Sequence, residues 1–214
     1  MLSFVLYYKS KPILTDIGRF NYNITDEIGT YGYSAKAHNS LTIDGLDPQA
    51  GINNRKLPDF YRSSKVTTDY SIDSKWFEFI IEHNGFCRLF SEPVKHKRTF
   101  KLSNGYFSLE DNLRGKKKHQ VNTYFHWAPG LNIENNNNGS FMVSTTIKQV
   151  NKEFHFSKIT NGYETSQSKL FNANSSGLGW SFPNYGLKEK INSLGFFQQA
   201  KLPIINKYTL EWNL

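Results

Sequence analysis

Apolar and polar residues alternate with a period of two, or gather in short apolar runs closed by turn residues, over 40–44, 75–82, 99–102, 106–110, 123–127, 140–147 and 153–159. An extended chain points successive side chains to opposite sides, so this period buries one face of a strand and wets the other. Each segment is therefore predicted to be a β-strand. Asp44-Gly45, Asn84-Gly85, Asn104-Gly105, Asn138-Gly139 and Asn161-Gly162 lie among these segments. Each places a residue that tolerates positive φ before a glycine, the chemistry of a tight turn. Turns at such regular intervals predict an all-β fold, a two-layer antiparallel β-sandwich with few or no helices.

The remaining stretches fit this scheme. The apolar start, 1–9, has no basic leading region and no small-residue cleavage site, so it reads as a first strand rather than a signal peptide. The run Asn135 to Asn138 is a polar loop, because asparagine side chains compete with a backbone ladder. Only 187–200 has room for a helix, and Gly195 interrupts it; after Pro203, the alternation over 208–212 predicts a closing strand. No internal repeat is present, and the expectation is a single domain over 1–214.

Composition narrows the classes. With 214 residues, 38% hydrophobic and 15% aromatic, the chain has enough apolar material for a core. No apolar run approaches the roughly 18 residues of a membrane helix, and no membrane span is expected. The single cysteine, Cys87, rules out an internal disulfide and a cysteine-built zinc site, so any metal must be held by histidines and carboxylates. The 26 basic against 18 acidic residues, a net charge of +8, favour an acidic partner: nucleic acid, an anionic surface or an acidic polysaccharide. The dense run 114–119 is short, and no nucleic-acid-binding motif accompanies it; it reads as a solvated hairpin turn, and nucleic acid is not the expected partner.

The chemistry-bearing candidates are histidines. His38 stands immediately before the strand at 40–44, and His83 ends the apolar strand at 76–81 and opens a turn. A histidine at a strand end, aimed at the sheet rim, is placed to be a metal ligand or a general base, and either reading competes with an ordinary hydrogen-bonded histidine. His96, Lys97 and Arg98 form a basic strand that could face an anionic ligand. His126 reads as a core or sheet-face residue, and His155, between Phe154 and Phe156, points outward. No phosphate cradle, metalloprotease helix or nucleophile elbow is present.

In chain order, these motifs resemble the C-terminal β-domain of the heparinase II/III-like polysaccharide lyases. Asp16-Ile17-Gly18-Arg19-Phe20-Asn21-Tyr22 resembles an aspartate-x-glycine-x-x-x-tyrosine element. Ala37-His38-Asn39-Ser40 followed by Asp44-Gly45 is similar to an alanine-histidine-asparagine-threonine signature followed by aspartate-glycine. His83-Asn84-Gly85-Phe86 resembles a histidine-aspartate-glycine-tyrosine turn, and His96-Lys97-Arg98 a histidine-arginine-arginine strand. Glu110 to Gly115, His119, Phe125 to Pro129, Trp180 to Gly186 and Leu202-Pro203 follow in the matching order.

The resemblance implies β-elimination on acidic, uronic acid-containing polysaccharides such as glycosaminoglycans, in a periplasmic, cell-envelope or extracellular setting. It implies His38 as an acid-base residue or metal ligand, His96, Lys97 and Arg98 as substrate-binding residues, and a zinc held by His38, Asp59 and His83, with Asp69 as the alternative carboxylate. Family enzymes also carry an α/α-toroid domain that supplies asparagine and tyrosine side chains around the substrate carboxylate. No counterpart is found here, and Phe86 replaces a tyrosine. The chain alone is therefore expected to be a weak or inactive lyase, active only with a toroid that is encoded separately or lost by truncation. The other readings are a non-catalytic module that binds anionic glycans and a structural domain with a basic surface.

Overall fold

The computed structural model describes residues 2–23, 25–48, 65–88, 92–136, 140–147, 150–161, 166–173 and 177–213. In chain order the strands are β1 (Leu6–Tyr8), β2 (Lys11–Leu14), β3 (Leu41–Ile43), β4 (Val66–Ile72), β5 (Trp76–His83), β6 (Lys95–Ser103), β7 (Tyr106–Arg114) and β8 (Lys118–His126). They continue as β9 (Asn132–Asn135), β10 (Ser140–Ile147), β11 (Val150–Asn161), β12 (Ser166–Asn172), β13 (Trp180–Ser181), β14 (Glu189–Lys190), β15 (Asn192–Lys201) and β16 (Ile204–Trp212). One short helix, α1 (Glu27–Tyr31), is capped by Asp26. The expected all-β antiparallel fold is what forms. The chain divides into two compact units, each assembled from three separate stretches: 1–62, 120–131 and 165–199 in the first, 63–119, 132–164 and 200–214 in the second.

The first unit holds a four-stranded sheet in the order β12-β15-β8-β3, with the β1–β2 hairpin and the β13–β14 pair beside it in the sequence of that unit. Asp44 and Gly45, at φ +51° and +74°, turn the chain after β3 as their pairing predicts. The segment 187–200, expected as a possible helix, is mostly strand β15. Gly195 disfavours a helix by about 1 kcal/mol relative to alanine, and in the strand it gives the Phe197 and Phe171 rings the room a Cβ would occupy.

The second unit is built on an eight-stranded antiparallel sheet, β4-β5-β6-β7-β16-β11-β10-β9. Directly paired residues share a face. Phe107, Leu109, Leu113, Tyr208, Leu210, Phe154, Phe156, Phe141 and Val143 all fall on one face, and all are buried. Residues of the other parity, such as Glu110, Lys207 and His155, lie on the polar face. Asn104-Gly105, with Gly105 at φ +79°, makes the β6–β7 hairpin. Asn84-Gly85 does not make a hairpin turn: Gly85–Arg88 is a short 3₁₀ helix, and the Asn84 side chain accepts from the Lys65 amide. Gly139 and Gly162 lie outside the described residues.

Candidate functional site

In the first unit, His38 follows a 3₁₀ turn, Ala35–Ala37, whose start is fixed by Ser34 and by Asp47, which accepts from the Ala35 amide. Ala37 and Ile17 are buried in one cluster with Tyr31, Phe182 and Ile191. Their chain neighbours His38 and Asp16 remain partly exposed, with side chains 24% and 39% accessible, and meet at 2.6 Å between Nδ1 and Oδ2. The buried pair of neighbours thus holds the partly exposed pair in place. Gly18 completes the geometry: its amide donates to Asp16 Oδ1, and at φ +74° it runs against Phe182, where a Cβ would lie 2.4 Å from the Phe182 carbonyl oxygen.

Burial raises the Asp16 pKa, but the hydrogen bond and charge of His38 and the Gly18 amide outweigh it and hold the carboxyl below its ordinary value. The carboxylate accepts the His38 Nδ1 proton, so in the neutral ring the lone pair sits on Nε2. The pair can therefore take up a proton at Nε2 and stabilise the resulting imidazolium.

Beneath this pair, Asn39 is fully buried and joins three segments. Its side chain donates to the Phe4 and Thr15 carbonyls and accepts from the His126 amide. His126 is also fully buried; Nε2 donates to the Lys36 carbonyl and Nδ1 accepts from Ser193 Oγ. Burial pushes its pKa down to about 4, so it is a neutral structural residue. Tyr31 donates to the same Lys36 carbonyl. Three residues along from Asp16, the exposed Arg19 guanidinium lies 3.8 Å from the Tyr33 ring centre, beside the stacked and exposed Tyr22 and Tyr185. A concavity of about 640 Å³ beside α1 is lined in part by Asp26, Glu27 and Asp47, which makes it unsuited to a polyanion.

In the second unit, His83, His96 and Arg98 come together on the apolar face. Arg98 pairs bidentately with Asp111, Nε to Oδ1 at 2.7 Å and a terminal nitrogen to Oδ2 at 2.9 Å. His96 Nε2 lies 2.6 Å from Asp111 Oδ1, and His83 Nε2 lies 2.9 Å from His96 Nδ1. The Gly85 amide donates to His83 Nδ1 at 3.0 Å, and this one donor sets every tautomer. His83 carries its proton on Nε2 and gives it to His96 Nδ1; His96 carries its own on Nε2 and gives it to Asp111. Burial holds both histidines well below the ordinary imidazole range. For Asp111 burial acts upward, and Arg98 and His96 outweigh it, keeping the carboxyl ionised. Phe86 is fully buried and packs on both imidazoles.

These positions bear on each site expectation. His96 and Arg98, expected to contact substrate, are buried and committed to Asp111. Strand alternation sends Lys97 to the opposite face, so the three do not form one anion-facing row. Of the expected zinc ligands, His38 belongs to the first unit and His83 to the second, and Asp59 lies outside the described residues. Asp69 pairs with Ile80 and therefore projects from the face opposite to His83. His83 in this hydrogen-bonding state has no free lone pair, because Nδ1 accepts from Gly85 and Nε2 bears the donated proton. Among the described residues no group of three His, Cys, Asp or Glu is placed to hold a metal, and the His83 donor set does not fit one. Sequence reading did not single out Asp16, Asn39 or Asp111 as partners, since each meets its histidine only through the fold.

The family model described as heparinase II/III-like, C-terminal, matches residues 1–202. Among solved structures, a heparinase III gene product superposes with a TM-score of 0.72 at 16% identity, covering 99% of this chain and 29% of that one. A heparan sulfate lyase from Pedobacter heparinus gives 0.70 at 12% identity, covering 98% and 30%. A further heparinase III gives 0.65 at 14%, covering 97% and 28%. The chain thus spans under a third of the length of these structures, and the likeness is one of fold. A sequence search of the curated proteins found no match.

Proposed function

The chain belongs to the heparinase II/III-like family, C-terminal part, and from that premise we propose that it is the β-portion of a polysaccharide lyase acting on uronic acid-containing glycans in an extracytoplasmic setting. The observation that carries the reading is the Asp16–His38 pair, a carboxylate-oriented imidazole whose side chain is partly exposed. In β-elimination a base removes the proton at C5, the electrons of that bond form the C4–C5 double bond, and the C4–O4 bond breaks. The departing oxygen leaves with a proton. His38 Nε2 has the lone pair for the first step, and Asp16 stabilises the imidazolium that results. The C5 proton is abstracted with difficulty until the neighbouring carboxylate is neutralised. Arg19, whose guanidinium lies 3.8 Å from the Tyr33 ring centre, is the exposed cation nearest to Asp16 in sequence and is assigned that role.

Among the described residues no helix is long and apolar enough to cross a membrane. The second reading is a module that binds anionic glycans without cleaving them, favoured by the exposed Tyr22–Tyr185 stack beside Arg19. Incubation with heparan sulfate, chondroitin and alginate, followed by the absorbance of unsaturated uronate, separates the two. Product from the wild type that falls by about 10²–10⁴-fold in His38→Ala supports the lyase reading. Product formed at an unchanged rate by that variant refutes the assignment of His38, and retention on glycan resin without product even when a toroid domain of the family is supplied favours the binding module.

A further inference from the structure

The basic run 114–119, a plain turn by sequence, lies in a corner of the second unit where three connecting segments converge. Gly115 packs against the other two: a Cβ on it would lie 2.9 Å from Leu202 and 3.4 Å from Val94, and the Leu202 amide donates to the Lys117 carbonyl. Each segment brings cations: Lys95 beside Val94, Lys116 and Lys117 beside Gly115, and Lys201 beside Leu202. On the polar face of the sheet, Lys95 on β6 stands directly opposite Arg114 on β7, and both are exposed. Like charges in that position repel and destabilise a sheet.

The described carboxylates do not match these cations. Glu82 stands opposite Lys97 and diagonal to Lys95, Glu92 lies 3.9 Å from Lys117, and Glu110 is taken by Lys207 opposite it. Asp69 belongs to the row of Ile80 and Thr99, four residues along the strands, and Glu78 to the row of Lys101, six residues along and on the order of 20 Å away. Lys95, Lys97, Arg114, Lys116, Lys117 and Lys201 thus share only Glu82 and Glu92, an excess of four positive charges in a chain whose net charge is +8. The corner also holds a concavity of about 480 Å³, lined in part by Asn112, Arg114, Asn161, Pro203 and Ile205. Asn112, Ile205 and Asn161 form one row across β7, β16 and β11, so two amides flank an apolar side chain. Amides give and accept the hydrogen bonds of sugar hydroxyls, Ile205 and Pro203 offer an apolar surface to a sugar's C–H face, and the Arg114 fork suits a carboxylate or sulfate. Among the described residues no aromatic ring lines the concavity for a base to stack on, which favours a glycan over a nucleic acid.

We propose that Lys95, Arg114 and Lys116, with Asn112 and Asn161 beside them, form a non-catalytic docking site for an acidic polysaccharide, separate in residues and in unit from Asp16 and His38. This rests on the reading of the substrate as a uronic acid-containing glycan. The test is affinity electrophoresis of the full chain at about 0.15 M salt, in gels containing heparan sulfate, chondroitin or alginate. The double variant Lys95→Gln with Arg114→Gln is run beside Asn161→Ala and beside Lys75→Gln with Lys169→Gln, which removes the same charge from exposed lysines elsewhere. Melting curves confirm that each variant is folded. The expected result is retardation of the wild type by at least one glycan, weakened about tenfold or more in Lys95→Gln with Arg114→Gln, as for loss of a charge-assisted contact. Asn161→Ala should weaken it less, and Lys75→Gln with Lys169→Gln should keep it. Equal weakening in the two double variants, or equal retardation of the wild type by polyphosphate or single-stranded DNA, overturns the site as general anion attraction. Full retardation of Lys95→Gln with Arg114→Gln, or of Asn161→Ala, overturns the site as drawn, and so does a wild type that none of the three glycans retards. The lyase reading stands or falls separately, on the release of unsaturated uronate.

Discussion

Replacing Asp111 with asparagine keeps the shape of the buried row Arg98–Asp111–Asn206–Thr160 but removes its one negative charge. These four residues lie side by side across β6, β7, β16 and β11, with Thr160 donating to Asn206. Both members of the ion pair are fully buried, so water cannot screen the guanidinium once its partner is neutral. Asp111 accepts three charge-assisted bonds, two from Arg98 and one from His96. Such bonds contribute about 1.5–3 kcal/mol each, but they share one carboxylate and do not add. Breaking one side of a buried pair costs about 3–5 kcal/mol, against a total stability of about 5–15 kcal/mol.

At about 2–4 °C per kcal/mol for a chain of this size, Asp111→Asn is expected to lower Tm by about 6–20 °C, read by calorimetry and urea unfolding at pH 7.5. The double variant Arg98→Met with Asp111→Leu removes both charges together and leaves the His96 donor without its acceptor, a cost of about 1–3 kcal/mol. It should be more stable than Asp111→Asn. A loss below about 1 kcal/mol in the single variant, or a double variant less stable than the single, would refute the assignment of this row as a desolvated ion pair.

Two further predictions concern the buried polar residues. His83, His96 and His126 are neutral in the fold, each with its pKa depressed first by burial. The unfolded chain therefore binds more protons below about pH 6.5, and stability should fall from there as the pH drops. His126 alone, depressed to about 4, contributes about 2 kcal/mol to that loss at pH 5. The lowered Asp16 and Asp111 add to it only below about pH 4. A unfolding midpoint flat between pH 7 and 5 would contradict the neutral assignments. Asn39→Ala leaves the Phe4 and Thr15 carbonyls and the His126 amide without their partner, and should cost about 2–5 kcal/mol by urea titration. A variant as stable as the wild type would show that Asn39 does not hold His38 in place.

The strands were legible because their signal is local. Every segment with period-two alternation became a strand, and Asp44-Gly45 and Asn104-Gly105 turned the chain where glycine chemistry said they would. The β1–β2 hairpin carries no such mark, since Lys9 and Ser10 adopt positive φ without a glycine. β4 escaped notice because all seven of its residues are exposed and no apolar alternation with a core face is enforced. The candidate sites were legible only in part. The histidines were visible as residues, but their partners lie 22 positions away for His38 and 15 for His96, distances over which spacing carries no information. The parity of β6 was readable, and it already separates Lys97 from His96 and Arg98; only burial decides which side is solvent.

Burial also decides which histidine can do chemistry. A general base must gain a proton during the reaction, so it needs a partner for the charge it acquires and a second nitrogen that reaches a substrate. His83, His96 and His126 have both nitrogens engaged, and burial opposes their protonation. His155 is exposed on the polar face of β11, opposite Glu211, and among the described residues it forms no ion pair that would orient its ring. His38 alone among these combines a carboxylate on one nitrogen with partial exposure. That combination, rather than its position before a strand, is the reason to place the proton transfer there. It also explains why the fold invests a fully buried asparagine, a positive-φ glycine and a buried tyrosine in the few residues that hold Asp16 and His38 in register.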